Sequence, residues 1–237
     1  MVRRFLTATP APYDMSAADV ERWALSLGLS GSSTRDAISH IRAFYRWSVR
    51  AGLTDRDPTA AIELPRTPRR LPRPARDHAI ANAVAAASPD VRAMLALMAG
   101  AGLRCCEVAA LTWADVDMLA GTVHVVGKGG RERVLEIAPA IRRALAAIDH
   151  PGVAVFGPYS PCRVSQMVNE HLRSVGAGCT AHQLRHRFAT RSLEQCGRLD
   201  LVRDLLGHAS IQNTEIYAAV VPGLAGTVSR SIDVPGL

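Results

Sequence analysis

Two histidines, an arginine and a tyrosine crowd the stretch from Thr180 to Tyr217: His182-x-x-Arg185, then His208, then Tyr217. Guanidinium and imidazole groups bind and neutralise phosphate, and a phenol, with an ordinary pKa of about 10, attacks only when an acceptor or a cationic field draws off its proton. Thr180-Ala181-His182-Gln183 reads as a capping box opening a helix that runs toward Gln195. His182 and Arg185 then share a face near a helix N-terminus, where unpaired N–H groups already favour an anion. Gly197 stops this helix, Asp200 caps a shorter one through Leu206, and Gly207 ends that one immediately before His208. A phosphate is the natural guest of such a set.

His182-x-x-Arg185, Leu205-Leu206-Gly207-His208 and Tyr217, with the flanks Leu184-Arg185-His186 and Phe188-Ala189-Thr190, resemble the C-terminal signature of the tyrosine recombinases, the phage integrase family. The resemblance implies that Tyr217 is the nucleophile and that His182, Arg185 and His208 surround the scissile phosphate. It also implies further cations upstream. Arg104 matches one of them, in Gly102-Leu103-Arg104-Cys105-Cys106-Glu107 followed by Leu111-Thr112-Trp113, and Glu107, one turn on, is placed to hold its guanidinium. Lys128 matches the other, in the turn Gly127-Lys128-Gly129-Gly130 between the β-branched runs Thr122 to Val126 and Arg131 to Ile137, a hairpin signal. The expected catalytic set is therefore Arg104, Lys128, His182, Arg185, His208 and Tyr217.

This set faces one phenol with cations and has no carboxylate cluster for Mg²⁺. In-line attack on a phosphodiester builds charge on the equatorial oxygens, and arginines with a histidine stabilise it where other enzymes use metal ions. Neither metal nor any other cofactor is expected. His182 is the candidate acceptor of the Tyr217 proton, and Lys128 the candidate donor to the departing 5′ oxygen. The 3′-phosphotyrosyl product keeps a phosphoester, so a 5′ hydroxyl from another strand reverses it without ATP, and strand exchange follows. Cys179, His182 and His186 form a C-x-x-H-x-x-x-H pattern with no evident fourth ligand, short of what structural zinc requires. The G-x-x-x-x-G-K-[ST] order of a nucleotide-binding loop is absent.

The elements that carry these residues read as mainly α with a small β-hairpin, an α+β class, in a 237-residue chain that is 48% apolar and only 5% aromatic. Residues 1–64 form a first, helical unit. Met1 to Met15 reads as a loose leader; Ser16 opens a helix carrying Val20, Trp23, Ala24 and Leu27; Ser33 caps a longer one with the stripe Ala37, Ile38, Ile41, Phe44, Tyr45 and Ser48; and Asp57-Pro58 starts a short one through Ile62. This bundle resembles the core-binding domain of the same family. Arg42, Arg46 and Arg50, at i, i+4 and i+8, line one face that can touch phosphates. Residues 65–76 hold four prolines and five arginines in twelve positions, an extended basic strap in which Arg66, Arg69, Arg70 and Arg73 are candidate DNA contacts. Residues 77–237 form the catalytic unit, with helices at Arg76 to Ala87, Ser88 to Gly100, Ala138 to Ile148 and Ser160 to Val175, and an aperiodic apolar tail from Ala218 that the resemblance implies is donated to a neighbouring protomer.

Lys plus Arg outnumber Asp plus Glu by 28 to 21, a formal +7, which suits a polyanionic partner. Five cysteines, odd in number and without C-x-x-C spacing, point to a reducing cytoplasm, and no apolar run reaches a membrane span or a signal peptide. The resemblance implies double-stranded attachment or core sites as partner, a homotetramer on synapsed DNA and a directionality factor. Phage or mobile-element integration and excision is the leading expectation, because the first domain is shorter than is usual in Xer-type recombinases. Xer-like dimer resolution is the alternative. A type IB topoisomerase and a non-enzymatic DNA-binding regulator rank lower, the last leaving Tyr217 and Lys128 without roles.

Overall fold

The computed structural model describes residues 1–65, 71–127, 129–150, 152–208, 210–218 and 221. The chain divides into two compact units, Met1–Arg70 and Leu71–Leu237.

In the first unit, α1 (Val2–Ala8) precedes a single 3-10 turn, Pro12–Asp14, and then α2 (Ala17–Ser26) and α3 (Gly31–Arg50). The expected loose leader is thus structured. Phe5 is fully buried, edge-on to Trp23 at 4.9 Å and to Tyr45 at 6.1 Å, and one large aromatic anchors a short helix without producing any period. Ser16 and Asp19 close a reciprocal capping box on α2. α3 begins earlier than expected, since Ser30, not Ser33, is its N-cap and accepts the Ser33 N–H. Its stripe Ala37, Ile38, Ile41, Tyr45 and Ser48 faces the core as read. After Asp57 there is a turn in place of the expected helix, because the Asp57 carboxylate accepts the Thr59 N–H at 2.9 Å and ties the chain locally. Arg42 is corrected as well: its Nη2 donates to the carbonyls of Thr59 (3.0 Å) and Ile62 (2.5 Å), so it fastens that turn to α3, whereas Arg46 and Arg50 remain exposed.

The second unit begins inside the predicted strap. Pro72 and Ala75 are buried, the Ala75 N–H donates to the Gln183 carbonyl at 3.2 Å, and the Gln183 side-chain amide donates to the Arg73 carbonyl at 2.9 Å. Residues 71–76 are therefore docked on the catalytic unit, with Arg73 exposed, while Arg66, Arg69 and Arg70 lie outside the described residues. Then follow α4 (Asp77–Ala86), α5 (Pro89–Gly100), α6 (Cys105–Ala110), β1 (Val116–Asp117), β2 (Thr122–Val126), β3 (Glu132–Glu136), α7 (Pro139–Ala146), α8 (Pro161–Ser174), α9 (Ala181–Cys196), α10 (Leu199–Leu206) and α11 (Glu215–Ala218).

α5 is the hub. Met94, Leu95, Leu97 and Met98 are buried almost all round, and α4, α7, α8 and α9 pack against it. The sheet is antiparallel in the order β1-β2-β3, with Val123 opposite Leu135 and Val125 opposite Arg133. β1 was not foreseen, being only two residues long. A second apolar cluster, Ala189, Leu193, Val202, Leu206, Tyr217 and Val221, joins α9, α10 and α11. Arg198, not Asp200, is the N-cap of α10, and Asp200 instead pairs with Arg198 at 2.5 Å. Among the described residues no helix is long and apolar enough to cross a membrane.

Candidate active site

Arg104 stands at the N-cap of α6, and Glu107, at the third position of that helix, reaches back to it. Glu107 Oε2 accepts the Arg104 backbone N–H and Oε1 accepts its Nη1, both at 2.8 Å. The expected Arg104–Glu107 pair is present, and it is one side of a larger cluster. From β3, Arg133 donates to both Glu107 oxygens, Nη1 at 3.1 Å and Nη2 at 2.9 Å, and from α9 Arg185 brings Nη1 to 3.7 Å. The Glu107 side chain is 1% exposed, Arg185 4% and Arg133 9%, while Arg104 keeps 32% of its side chain accessible. Burial alone would push the Glu107 carboxyl up, but the hydrogen bonds from Arg133 and the Arg104 N–H hold it below its ordinary value, so it stays charged. Among the described residues three guanidinium groups converge on one carboxylate here, an excess of positive charge at the pocket.

The loop after α10 completes this pocket. Leu206 is the last residue of the helix, and its otherwise unpaired carbonyl accepts Arg185 Nη2 at 2.7 Å and Arg104 Nη1 at 3.3 Å; a helix C-terminus is the favourable place for both cations. Arg185 Nη1 also donates to the Gly102 carbonyl. Gly207, at φ +61°, stops α10, and a Cβ there would stand 2.9 Å from Arg133 Nη1, so this glycine both reverses the chain and leaves room for the arginine. His208 emerges next, its Nδ1 hydrogen-bonded to the Thr214 hydroxyl at 2.9 Å. Burial first, then Arg185 and Arg104, press its pKa down to about 4, leaving it neutral near pH 7.

His182 sits in the first turn of α9, where Gln183 back-bonds to the Thr180 N–H and Asn169 accepts the Ala181 N–H, each at 2.9 Å. A cavity of about 400 Å³ opens beside His182, Arg185 and Arg104, walled by Thr180, Cys105 and Asn169. A larger groove of about 540 Å³, lined by α4, α5 and α7, touches none of the expected site residues and is mostly apolar. Desolvation, with Arg185 and Arg104 nearby, lowers the His182 pKa. Tyr217 is 2% exposed, and burial raises its phenol pKa while Arg185 and Arg104 pull the other way.

The partner of that phenol differs from expectation. His186, one turn beyond His182, places Nδ1 2.9 Å from Tyr217 Oη, and among the described residues no hydrogen bond joins His182 to Tyr217. Arg104, His182, Arg185, His208 and Tyr217 thus surround one cationic pocket. Lys128 lies outside the described residues, and its neighbour Gly127 sits at the hairpin base with a Cβ position 3.5 Å from Glu107 Oε1. Sequence reasoning missed Arg133 and left His186 without a role. Strand alternation was the available signal for Arg133, since it lies two residues before the inward-facing Leu135; for His186 it was the four-residue spacing from His182, which puts both on one helical face.

Residues 77–222 match the model of the phage integrase family. The chain belongs to that family. It is a tyrosine recombinase, an enzyme that breaks and rejoins DNA at specific sites. Tyrosine recombinase XerC of Rhodospirillum centenum is 36% identical over 215 residues, spanning 81% of this recombinase and 63% of the relative. Among solved structures, XerA recombinase has a TM-score of 0.60 at 22% identity, covering 98% of this chain and 90% of its own. A lambda integrase tetramer bound to a Holliday junction has a TM-score of 0.65 at 20% identity, covering 84% and 65%. At those identities the structures show a shared fold.

Proposed function

We propose that this recombinase cuts and rejoins double-stranded DNA through a 3′-phosphotyrosine at Tyr217, with Arg104, Arg185 and His208 binding the scissile phosphate, His182 beside them, and Lys128 protonating the 5′ oxygen. The observation that carries this is the convergence at one pocket: a buried phenol from α11 beside guanidinium groups at α6 and α9 that outnumber the carboxylates among the described residues there. The non-bridging oxygens of a phosphodiester supply the missing counter-charge. The described pocket is cationic, so charge development in the transition state is met by preorganised donors.

The recombinase acts as a homotetramer on two synapsed attachment or core sites in the cytoplasm, with a directionality factor setting integration against excision of a phage or mobile element. Exposed Arg46 and Arg50, with Arg66, Arg69, Arg70 and Arg73 of the strap, add sequence-independent phosphate contacts. Similarity to a XerC recombinase supports a second reading, resolution of replicon dimers. One experiment addresses the chemistry without knowledge of the site: a pool of nicked duplexes with a randomised core is enriched through successive rounds for covalent adduct. Recovery of one inverted-repeat core is expected, and a pool that yields no adduct refutes the reading. Junction mapping in cells then separates integration from dimer resolution.

A further inference from the structure

A phenol that attacks must hand over its proton, so the hydrogen-bond partner of the Tyr217 hydroxyl matters most. Among the described residues the hydrogen-bond partner of that hydroxyl is His186 Nδ1, at 2.9 Å. The rings of the pair lie 5.5 Å apart, and on its other side His186 meets His182 edge-on at 4.4 Å. His186 is held on α9 near the middle of a 16-residue helix, and Tyr217 by the apolar cluster of Leu193, Val202 and Leu206, so neither group has to move far to keep the contact.

We propose that His186 is the catalytic base that accepts the Tyr217 proton, a role resting on the phosphotyrosine reading above. As the bond from Tyr217 Oη to phosphorus forms and that from phosphorus to the 5′ oxygen breaks, the phenolic proton moves to Nδ1 and the 5′ oxygen takes a proton from Lys128. In rejoining, the 5′ hydroxyl gives its proton back to Lys128 as it attacks phosphorus, the bond from phosphorus to Tyr217 Oη breaks, and His186 returns its proton to Oη, so no net proton or electron is consumed. Among the described residues the groups facing His186 are His182 and Arg185 on its own helix and Tyr217 on α11. Burial, then His182 and Arg185, bring its pKa down to about 4, so the free enzyme holds a neutral imidazole able to accept. A bound phosphodiester supplies negative charge against Arg185 and raises the proton affinity of the imidazole when it is needed.

The test uses the full chain and the nicked duplex selected by adduct enrichment. His186→Asn places a neutral acceptor where Nδ1 stood, keeping Tyr217 oriented but unable to take up a proton, and His186→Ala leaves a space for added imidazole. For His186→Asn, adduct formation slows by about 10²–10⁴ at neutral pH and its logarithm rises with pH at a slope of about one, as hydroxide replaces the base. DNA binding is unchanged, and imidazole accelerates His186→Ala. A His186→Asn rate within about threefold of wild type overturns the proposal, as does an equal loss at every pH without imidazole rescue, or a pH slope that appears in His182→Asn instead. Wild-type adduct that is absent in Tyr217→Phe keeps the phosphotyrosine reading standing in each of those cases; no wild-type adduct at all removes that reading itself.

Discussion

Glu107→Gln isolates the electrostatic frame of the site. The carboxylate is 1% exposed and receives a bidentate fork from Arg133, itself 9% exposed, with Arg185 at 3.7 Å and Arg104 at 2.8 Å. Glutamine preserves the shape but removes the charge, and its amide turns a donor toward groups that only donate. Removing one member of a buried ion pair costs about 3–5 kcal/mol, because the partner charges stay buried and unpaired. For a unit of this size each kcal/mol moves the melting temperature by about 2–4 °C, so a fall of roughly 6–20 °C is expected. Circular dichroism of the full chain reads it, with Asp77→Asn as the comparison, since Asp77 pairs with the more exposed Arg187 and Arg191. Sulfate bound in the pocket at about a hundred times its Kd returns about 2.7 kcal/mol. The variant therefore recovers more stability from sulfate than wild type does. A loss under about 1 kcal/mol, or no differential response to sulfate, would refute the claim that Glu107 is the counter-charge of a buried anion site.

Acid should unfold the enzyme in a defined window. His186 and His208 titrate at about 4 in the fold against an ordinary 6.5, so between those values the unfolded chain binds protons that the native one does not; stability falls as pH drops through 6.5 toward 4, and urea midpoints show a shallower fall in His186→Asn. Gly102→Ala should destabilise by on the order of 1–3 kcal/mol, because a Cβ there runs into the Phe188 ring and the residue is at φ +69°; a melting temperature unchanged from wild type contradicts this packing. Lys128→Ala should slow cleavage by about 10²–10⁴ on normal DNA, yet act at near wild-type speed on a substrate with sulfur at the 5′-bridging position, whereas Arg104→Ala and Arg185→Ala stay impaired on it. Failure of sulfur to rescue Lys128→Ala places the acid elsewhere.

Local signals in the sequence make most of the site legible. Helix stops at Gly197 and Gly207, the Gln183 back-bond at Thr180 and the hairpin around Gly127 all depend on neighbours a few residues apart, and each is where the sequence puts it. What stayed hidden depends on distant partners. Arg133 meets Glu107 across 26 positions and His186 meets Tyr217 across 31, so alternation and helical spacing give the face each residue lies on but not the partner it meets there. Phe5 and Arg42 show the same limit in the first unit: an isolated aromatic turned a supposed leader into a packed helix, and carbonyls 17 and 20 positions away drew Arg42 inward from a face that spacing alone made look free.

The central claim is the covalent bond to Tyr217. Wild-type protein trapped on the selected nicked duplex, digested with nuclease and protease and sequenced by tandem mass spectrometry, should give a nucleotide-bearing peptide modified at Tyr217, and Tyr217→Phe should give none while still binding that DNA. A nucleotide on any other residue, or adduct from Tyr217→Phe at wild-type yield, contradicts the account.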